Sequence, residues 1–441
     1  MNEALRDTLE HIFTAGLAAV APDGALLRHL RLEGDTLTAG DRRYDLRRRV
    51  VVLGAGKGAA PMAVALENLL GERISEGLVV VKYGHGLPLR RIRLAEAAHP
   101  VPDASGAAAT KTLLDMARRA GTGDLAICLL TGGASALTPA PAPGLTLEHL
   151  QTVTGLLLEC GATIDELNAV RKHLSVFSGG QLARAAAPAS VLSVIVSDVV
   201  GDRLDVIASG PTAPDGSDFA TCAAVIAGFG LEDRLPVPVR AHLAAGLAGR
   251  LPETPKADDP LFDRVQNLLV ATNRQALEAA AVKAEALGFA PRIVTDALTG
   301  EARQRARELV AEARRAADAL RPGDPPICLL VGGETTVTIR GSGKGGRNQE
   351  MALAAALALE GDQRICALFA GTDGTDGPTD AAGGFAFGDS AAAVRRAGAD
   401  PEALLDNNAG NMALRLSGDL LVTGPTRTNV MDMAVLLVRS A

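Results

Sequence analysis

Residues 50–61 read VVVLGAGKGAAP. Four apolar residues lead into Gly54-Ala55-Gly56-Lys57-Gly58-Ala59, and an alanine-rich helical stretch follows. A buried strand that turns through glycines into a helix is the opening unit of an α/β fold. The turn meets the loose G-x-G-x-x-A pattern of dinucleotide-binding folds. An NAD-binding fold also needs an acid about 20 residues further on, at the end of the second strand. Here that strand ends in Val81-Lys82-Tyr83-Gly84, without one. The phosphate loop Gly-x-x-x-x-Gly-Lys-Ser/Thr is not met either. What remains is an anion site at a helix N-terminus, with Gly54 and Gly56 admitting the ligand to the backbone and Lys57 supplying the charge.

The same punctuation recurs outward from this stretch. Short apolar runs at 49–53, 77–81, 125–130, 191–196, 268–271, 291–295, 327–331 and 365–369 are expected as strands. Segments of helical period lie between many of them, for example 273–287 and 299–320. Continuous apolar strands alternating with helices predict an α/β protein with largely parallel sheets covered on both faces. The more alternating segment 335–340 is expected as a half-exposed or antiparallel strand. Five prolines between 235 and 260 (236, 238, 252, 255 and 260) mark a domain connection. The expected division is 1–240, a connection at 241–260, and 261–441, since 441 residues exceed one ordinary core.

Composition narrows the function. Hydrophobic residues are 47% and charged residues 22%, as in soluble globular proteins. The net charge of −7 and the absence of Trp argue against nucleic-acid binding, which needs basic surfaces and stacking platforms. No apolar run approaches the roughly 20 residues that cross a bilayer, and the first residues lack a secretory pattern. Five cysteines without CxxC spacing, three of them (128, 328 and 366) inside apolar runs, read as buried thiols. A reduced, cytoplasmic protein is expected, as a monomer or homodimer.

Glycine clusters follow several of the expected strands, and in α/β folds ligands sit beyond the carboxyl ends of strands. Thr131-Gly132-Gly133 precedes Ser135, which opens a helix and either caps it or meets a phosphate. In Asn168–Ser175, adjacent cations cannot share a helix face, and Arg171 or Lys172 is the one expected to reach a cleft. Asp198 follows the strand at 191–196 and suits Mg²⁺ binding or general-base work. His99, in a Pro-rich loop, reads as structural. The densest cluster runs from 332 to 384, with GGETT at 332–336, GSGKGGRNQE at 341–350 and GTDGTDGPTD at 371–380. Here Gly333, Gly346, Asn348 and Thr372 offer small polar contacts, and Lys344 and Arg347 offer positive charge. Glu334, Asp373, Asp376 and Asp380 offer hard oxygen ligands of the kind Mg²⁺ takes. Anion cradle, cations and carboxylates together describe a phosphoryl-transfer site. A last cluster, TGPTRTN at 423–429, closes another apolar run.

These motifs, in this order, resemble the bacterial-type glycerate 2-kinases whose C-terminal part is called the MOFRL domain (here about 325–435). The resemblance extends over VVVLGAGKGA, KYGHGLPL, HPVPD, GGASAL, GATIDELNAVRKHLS, VSDVVGDRLDVIASGPT, GGETTVTIRGSGKGGRNQE, GTDGTDGPTDAAGG and DLLVTGPTRTNV, nearly the whole chain. It implies a Rossmann-like N-terminal domain, a C-terminal α/β domain and a cleft between them. It also implies Mg²⁺-dependent transfer of the ATP γ-phosphate to the 2-hydroxyl of D-glycerate. The family's cleft lysine matches Lys57, and its glycine-loop arginine matches Arg347. Two departures stand out: Ala134 where a third glycine is expected, and Arg427 where glycine is expected. Members also carry the name hydroxypyruvate reductase, so an NAD(P)-dependent reductase is the alternative reading.

Overall fold

The computed structural model describes residues 2–440. The chain gathers into two compact units. One comprises residues 22–197 and 202–270; the other takes residues up to 21, 198–201 and those from 271 onward.

The unit of residues 22–270 begins with a small antiparallel sheet of β1 (Leu30–Glu33), β2 (Thr36–Ala39) and β3 (Arg42–Asp45). Its main sheet holds β4 (Val50–Ala55), β5 (Ile74–Lys82), β6 (Ile92–Ala97), β7 (Leu125–Leu130), β8 (Ser190–Val196) and β9 (Val265–Ala271). The order is β6-β5-β4-β7-β8-β9, with β4 parallel to both β5 and β7, β5 to β6, and β7 to β8. Counted from its first strand this is 3-2-1-4-5-6, the order of doubly wound dinucleotide-binding folds. The winding reverses between β4 and β7, whose residues are buried throughout. Both faces are covered, so apolar runs rather than alternation specify these strands.

The proline-rich segment forms a helix, Val237–Leu247, with Pro236 as its N-cap. Leu235, Val239 and Leu243 are buried in one cluster with Val153, Leu157 and Phe219. Proline in a first helical turn costs little, because its missing N–H would have had no partner there.

The other unit holds β10 (Ala290–Leu298), β11 (Ile327–Gly333), β12 (Ile365–Gly371), β13 (Gly383–Ala386), β14 (Leu420–Leu421) and β15 (Asp432–Val438). Their order is β10-β11-β15-β12-β13-β14. Only β10 and β11 pair in parallel, so this sheet departs from the expected parallel arrangement. The cause is β15, which returns antiparallel between β11 and β12 and sets Asp432 opposite both Gly333 and Gly371. The segment 335–340 is not a strand; it makes a single bridge, Thr336 to Glu301. Side chains satisfy its backbone instead: Glu301 accepts from the Thr338 N–H, and Asn408 Oδ1 accepts from the Arg340 and Gly341 N–H groups. With few aromatics, the core is built by close-set alanine-rich helices, Ala302–Ala319 and Arg347–Leu359, over the sheet. The helix Asn2–Ala19 belongs to this unit, and Thr428 Oγ1 donates to Val20 O at 2.8 Å where that helix ends.

All five cysteines are free thiols, and burial pushes those of Cys128, Cys328 and Cys366 up to about 12, so they are inert. Among the described residues no helix is long and apolar enough to cross a membrane.

Candidate functional site

In the unit of residues 22–270 the glycine-bearing loops leave the carboxyl ends of β4 and β7, flanking the point where the winding reverses. The two loops are stitched together. Lys57 N–H donates to Gly132 O at 2.9 Å, and Gly58 N–H donates to Thr131 Oγ1 at 2.9 Å. Gly56 lies at φ +131°, and a Cβ there would overlap Thr131 Oγ1 and come within 2.5 Å of the Thr131 carbonyl oxygen. Gly56→Ala should therefore lower stability by about 2 kcal/mol or more, read as a drop in the urea midpoint at unchanged m-value. Gly54 is small for the sheet's sake, since its Cβ would meet Val79 Cγ1 at 2.7 Å.

Gly133, at φ +86°, has two candidate side chains beside it. A Cβ on it would touch the His99 ring at 3.1 Å and Lys57 Cγ at 3.5 Å. The Lys57 stem and His99 thus lie against the same turn. His99 lines the neighbouring cavity, which its sequence context did not indicate. Gly133, not Ser135, is the N-cap of the short helix Ala134–Leu137. The Ser135 hydroxyl instead hydrogen-bonds Ser209 Oγ at 2.9 Å, and Ser209 donates to the buried Asn168 Oδ1 at 3.2 Å. Ala208 and Ser209 both hold left-handed backbone, at φ 54° and 58°. Strain of that kind in non-glycine residues costs of order 1–3 kcal/mol each and clusters at functional sites.

Of the two cations weighed in the 168–175 run, Lys172 is buried as an internal ion-pair partner, 3.3 Å from Asp215 and 3.5 Å from Asp205. Arg171 lines the cavity. Asp198, which groups with the other unit, follows β8 by two residues and is half-buried.

In the other unit the register of β15 assembles a second group of residues. Asp432 meets Arg347 in a two-point ion pair, 2.6 Å to Nε and 3.0 Å to Nη2, while Glu334 takes Nη1 at 2.8 Å. Burial opposes the charge on Arg347, but Asp432 and Glu334 outweigh it and hold its pKa above the ordinary arginine value. Asp432 was missed in the sequence, because nothing in Val-Met-Asp-Met marks an acid that only a sheet register brings to Arg347.

Asp376 has a different task from the metal ligation expected of it. Its carboxylate accepts from the backbone N–H of Asn348 (3.1 Å) and of Gln349 (2.9 Å), and from both their side-chain amides. It caps the helix Arg347–Leu359, and burial pushes its carboxyl up from the usual range. Asn348 is thereby turned inward. Thr372 is buried too, donating to Met431 O at 2.6 Å and accepting from the Val430 N–H at 2.8 Å, so it braces strand ends.

Much of the glycine-rich loop is bare for packing: a Cβ at Gly346 would overlap the Asp376 carboxylate, and one at Gly333 the Leu298 backbone. Gly343, Gly345, Gly346, Arg347 and Glu334 line a cavity of about 530 Å³, and Lys344 on the same loop is exposed.

Asp373 Oδ1 accepts from Thr375 N–H and Oγ1, each at 3.0 Å. Among the described residues no three His, Cys, Asp or Glu side chains converge as a metal cage. Mg²⁺ does not require one, since it keeps waters and takes one or two carboxylates together with phosphate oxygens. Glu334 and Asp373, each just past a strand end, suit it chemically.

Arg427 adopts φ +63°, the left-handed backbone that favours glycine. Arg427→Gly should raise stability, by up to about 1 kcal/mol in urea unfolding, because relief of the strain exceeds the entropy that glycine adds to the unfolded chain.

Two families match the chain: one described as a domain of unknown function (DUF4147), over residues 8–244, and the MOFRL family, over residues 327–432. A Pyrococcus horikoshii protein named glycerate 2-kinase is 40% identical, over 96% of this chain and 95% of its own. An Agrobacterium vitis relative with a provisional hydroxypyruvate reductase name is 41% identical, over 98% of this chain and 94% of its own. The crystal structure of a glycerate kinase from Thermotoga maritima superposes with a TM-score of 0.87 at 39% identity, covering 99% of this chain and 100% of that one.

Proposed function

The chain belongs to the glycerate kinase family, and from that premise we propose that it transfers the γ-phosphoryl group of ATP to the 2-hydroxyl of D-glycerate, giving 2-phosphoglycerate. The observation that carries this reading is the turn after β4. A lysine stands there at the reversal of a doubly wound sheet, while β5 ends at Lys82 with no ribose-binding acid after it. That apparatus suits an anionic phosphate and lacks what a nicotinamide dinucleotide needs.

Phosphoryl transfer asks for positioning and charge neutralisation rather than covalent chemistry. Lys57 and Arg347 supply positive charge for the reacting anions. Gly132, Gly133 and the start of the helix Ala59–Leu70 offer backbone dipoles to phosphate oxygens. Lys344, Gly346 and Gly333 are further groups suited to an anion. Mg²⁺, when bound, would neutralise phosphate charge, with Glu334 and Asp373 as its carboxylates. Arg347 would then exchange Glu334 for substrate and keep its two-point hold on Asp432. Asp198, at the carboxyl end of the sheet that carries Lys57, takes the hydroxyl proton.

Incubation with ATP, Mg²⁺ and D-glycerate should yield a doublet of 2-phosphoglycerate in proton-coupled phosphorus NMR. A 3-phosphoglycerate signal would correct the position of transfer. No phosphorylated product, with NAD(P)H oxidised by hydroxypyruvate instead, would replace the reading with the reductase.

A further inference from the structure

Arg171 is the group in the first unit that the fold leaves unexplained. It projects from the helix Ile164–His173 and lines a cavity of about 450 Å³. Its neighbours Lys172 and His173 are fully engaged, with Asp215 and Glu253 respectively. Arg171 makes no hydrogen bond or ion pair with any described residue, and burial alone lowers its pKa. Arg171 is half-buried, and a half-buried guanidinium without a counter-charge suits an anionic ligand that supplies the missing charge.

The rest of the cavity limits what that ligand is. Ser135, Ser175, Ser178 and Gln151 give it hydroxyl and amide groups, while Val153 and Leu174 give it an apolar wall. Arg171 is its one guanidinium or ammonium among the described residues. A triphosphate carries several charges and calls for several cations or a metal. A monocarboxylate is matched by one planar fork through two parallel hydrogen bonds. The volume falls within the roughly 300–1,000 Å³ of small-molecule sites.

We propose that this cavity is the acceptor pocket, in which Arg171 clasps the carboxylate of a short 2-hydroxy acid and the serine hydroxyls meet its hydroxyl groups. This rests on the acceptor's being a hydroxy acid, as above, and adds which residue recognises it. It leaves Lys57 and Arg347 to the phosphoryl group. The apolar wall further implies that acids with a methyl or ethyl group in place of the hydroxymethyl, such as D-lactate and D-2-hydroxybutyrate, bind as well.

Calorimetric titration with D-glycerate and D-lactate tests it, with and without the Mg²⁺ complex of a non-hydrolysable ATP analogue. Arg171→Met should weaken binding of both acids at least 30-fold and leave nucleotide affinity within twofold of the parent. Arg171→Lys should fall between, because an ammonium keeps the charge and loses the fork. Thermal unfolding checks that each variant is folded, and if Arg171→Met is not, the lysine variant decides. Unchanged acid binding in a folded variant overturns the proposal. So does loss of nucleotide rather than acid affinity, or no acid binding to the parent under either condition. The kinase reading fails separately: acid would bind through Arg171, yet no phosphorylated product would form.

Discussion

Lys57→Ala and Arg347→Ala should each lower kcat at least about a hundredfold, since removing one preorganised charge from a phosphoryl-transfer site raises the barrier by about 3 kcal/mol. The two losses have different anatomies. Lys57 sits on a turn whose backbone is tied to Gly132 and whose stem passes Gly133 and His99. Truncating it leaves the backbone tie to Gly132 intact, so stability should fall far less than turnover. Arg347 is gripped from two sides, by Asp432 and Glu334, and its removal strands a buried carboxylate. Arg347→Ala should therefore lose stability as well as turnover. Arg347→Lys should rescue little, because an ammonium cannot reproduce the two-point pair. Steady-state kinetics with glycerate and ATP, beside urea unfolding, separates these outcomes. Full turnover in both alanine variants would remove Lys57 and Arg347 from the mechanism.

Asp432→Ala should lower stability by about 3 kcal/mol and depress kcat nearly as far as Arg347→Ala does. Asp432 is buried at the start of a central strand, and its partner is a guanidinium only partly open to water. Breaking such a pair from one side costs about 3–5 kcal/mol when both charges are buried. Glu334 remains as a partner, which places the expectation at the lower end. The kinetic loss follows because Asp432 fixes where the guanidinium points, and Glu334 alone allows it to swing. Combining Asp432→Ala with Arg347→Met should cost clearly less than the two separate losses added together, since the double variant leaves no orphaned charge. Strict additivity, or a stable and active Asp432→Ala enzyme, would make the pair idle.

Part of the candidate site's local structure was written in the local chain. Gly-x-Gly-Lys after an apolar run announced a strand–turn–helix, and the glycine loop before Arg347 announced the start of another helix. Both signals are short-range: a turn needs residues without side chains, and a helix start leaves backbone donors exposed. Other signals in the chain are ambiguous. Acid–glycine repeats suggested metal ligands, yet Asp376 caps a helix. Proline richness suggested a break in the structure, yet the residues behind it form a helix. Ser135 read as either a cap or a phosphate contact; Gly133 holds the cap position, and the Ser135 hydroxyl joins a hydrogen-bonded chain to Ser209 and Asn168.

By itself the sequence determined the α/β class, eight of the strands (β4, β5 and β7 to β12), and the pairing of bare backbone with lysine and arginine, because each depends on neighbours a few positions apart. Only the tertiary structure decided that β15 runs back between β11 and β12, carrying Asp432 to Arg347. It alone brought the first helix into the company of the C-terminal strands, and left Arg171 without a counter-charge where Lys172 found two. Strand order and register join residues scores of positions apart, and burial is a property of the packed whole. No local pattern of residue types encodes either one.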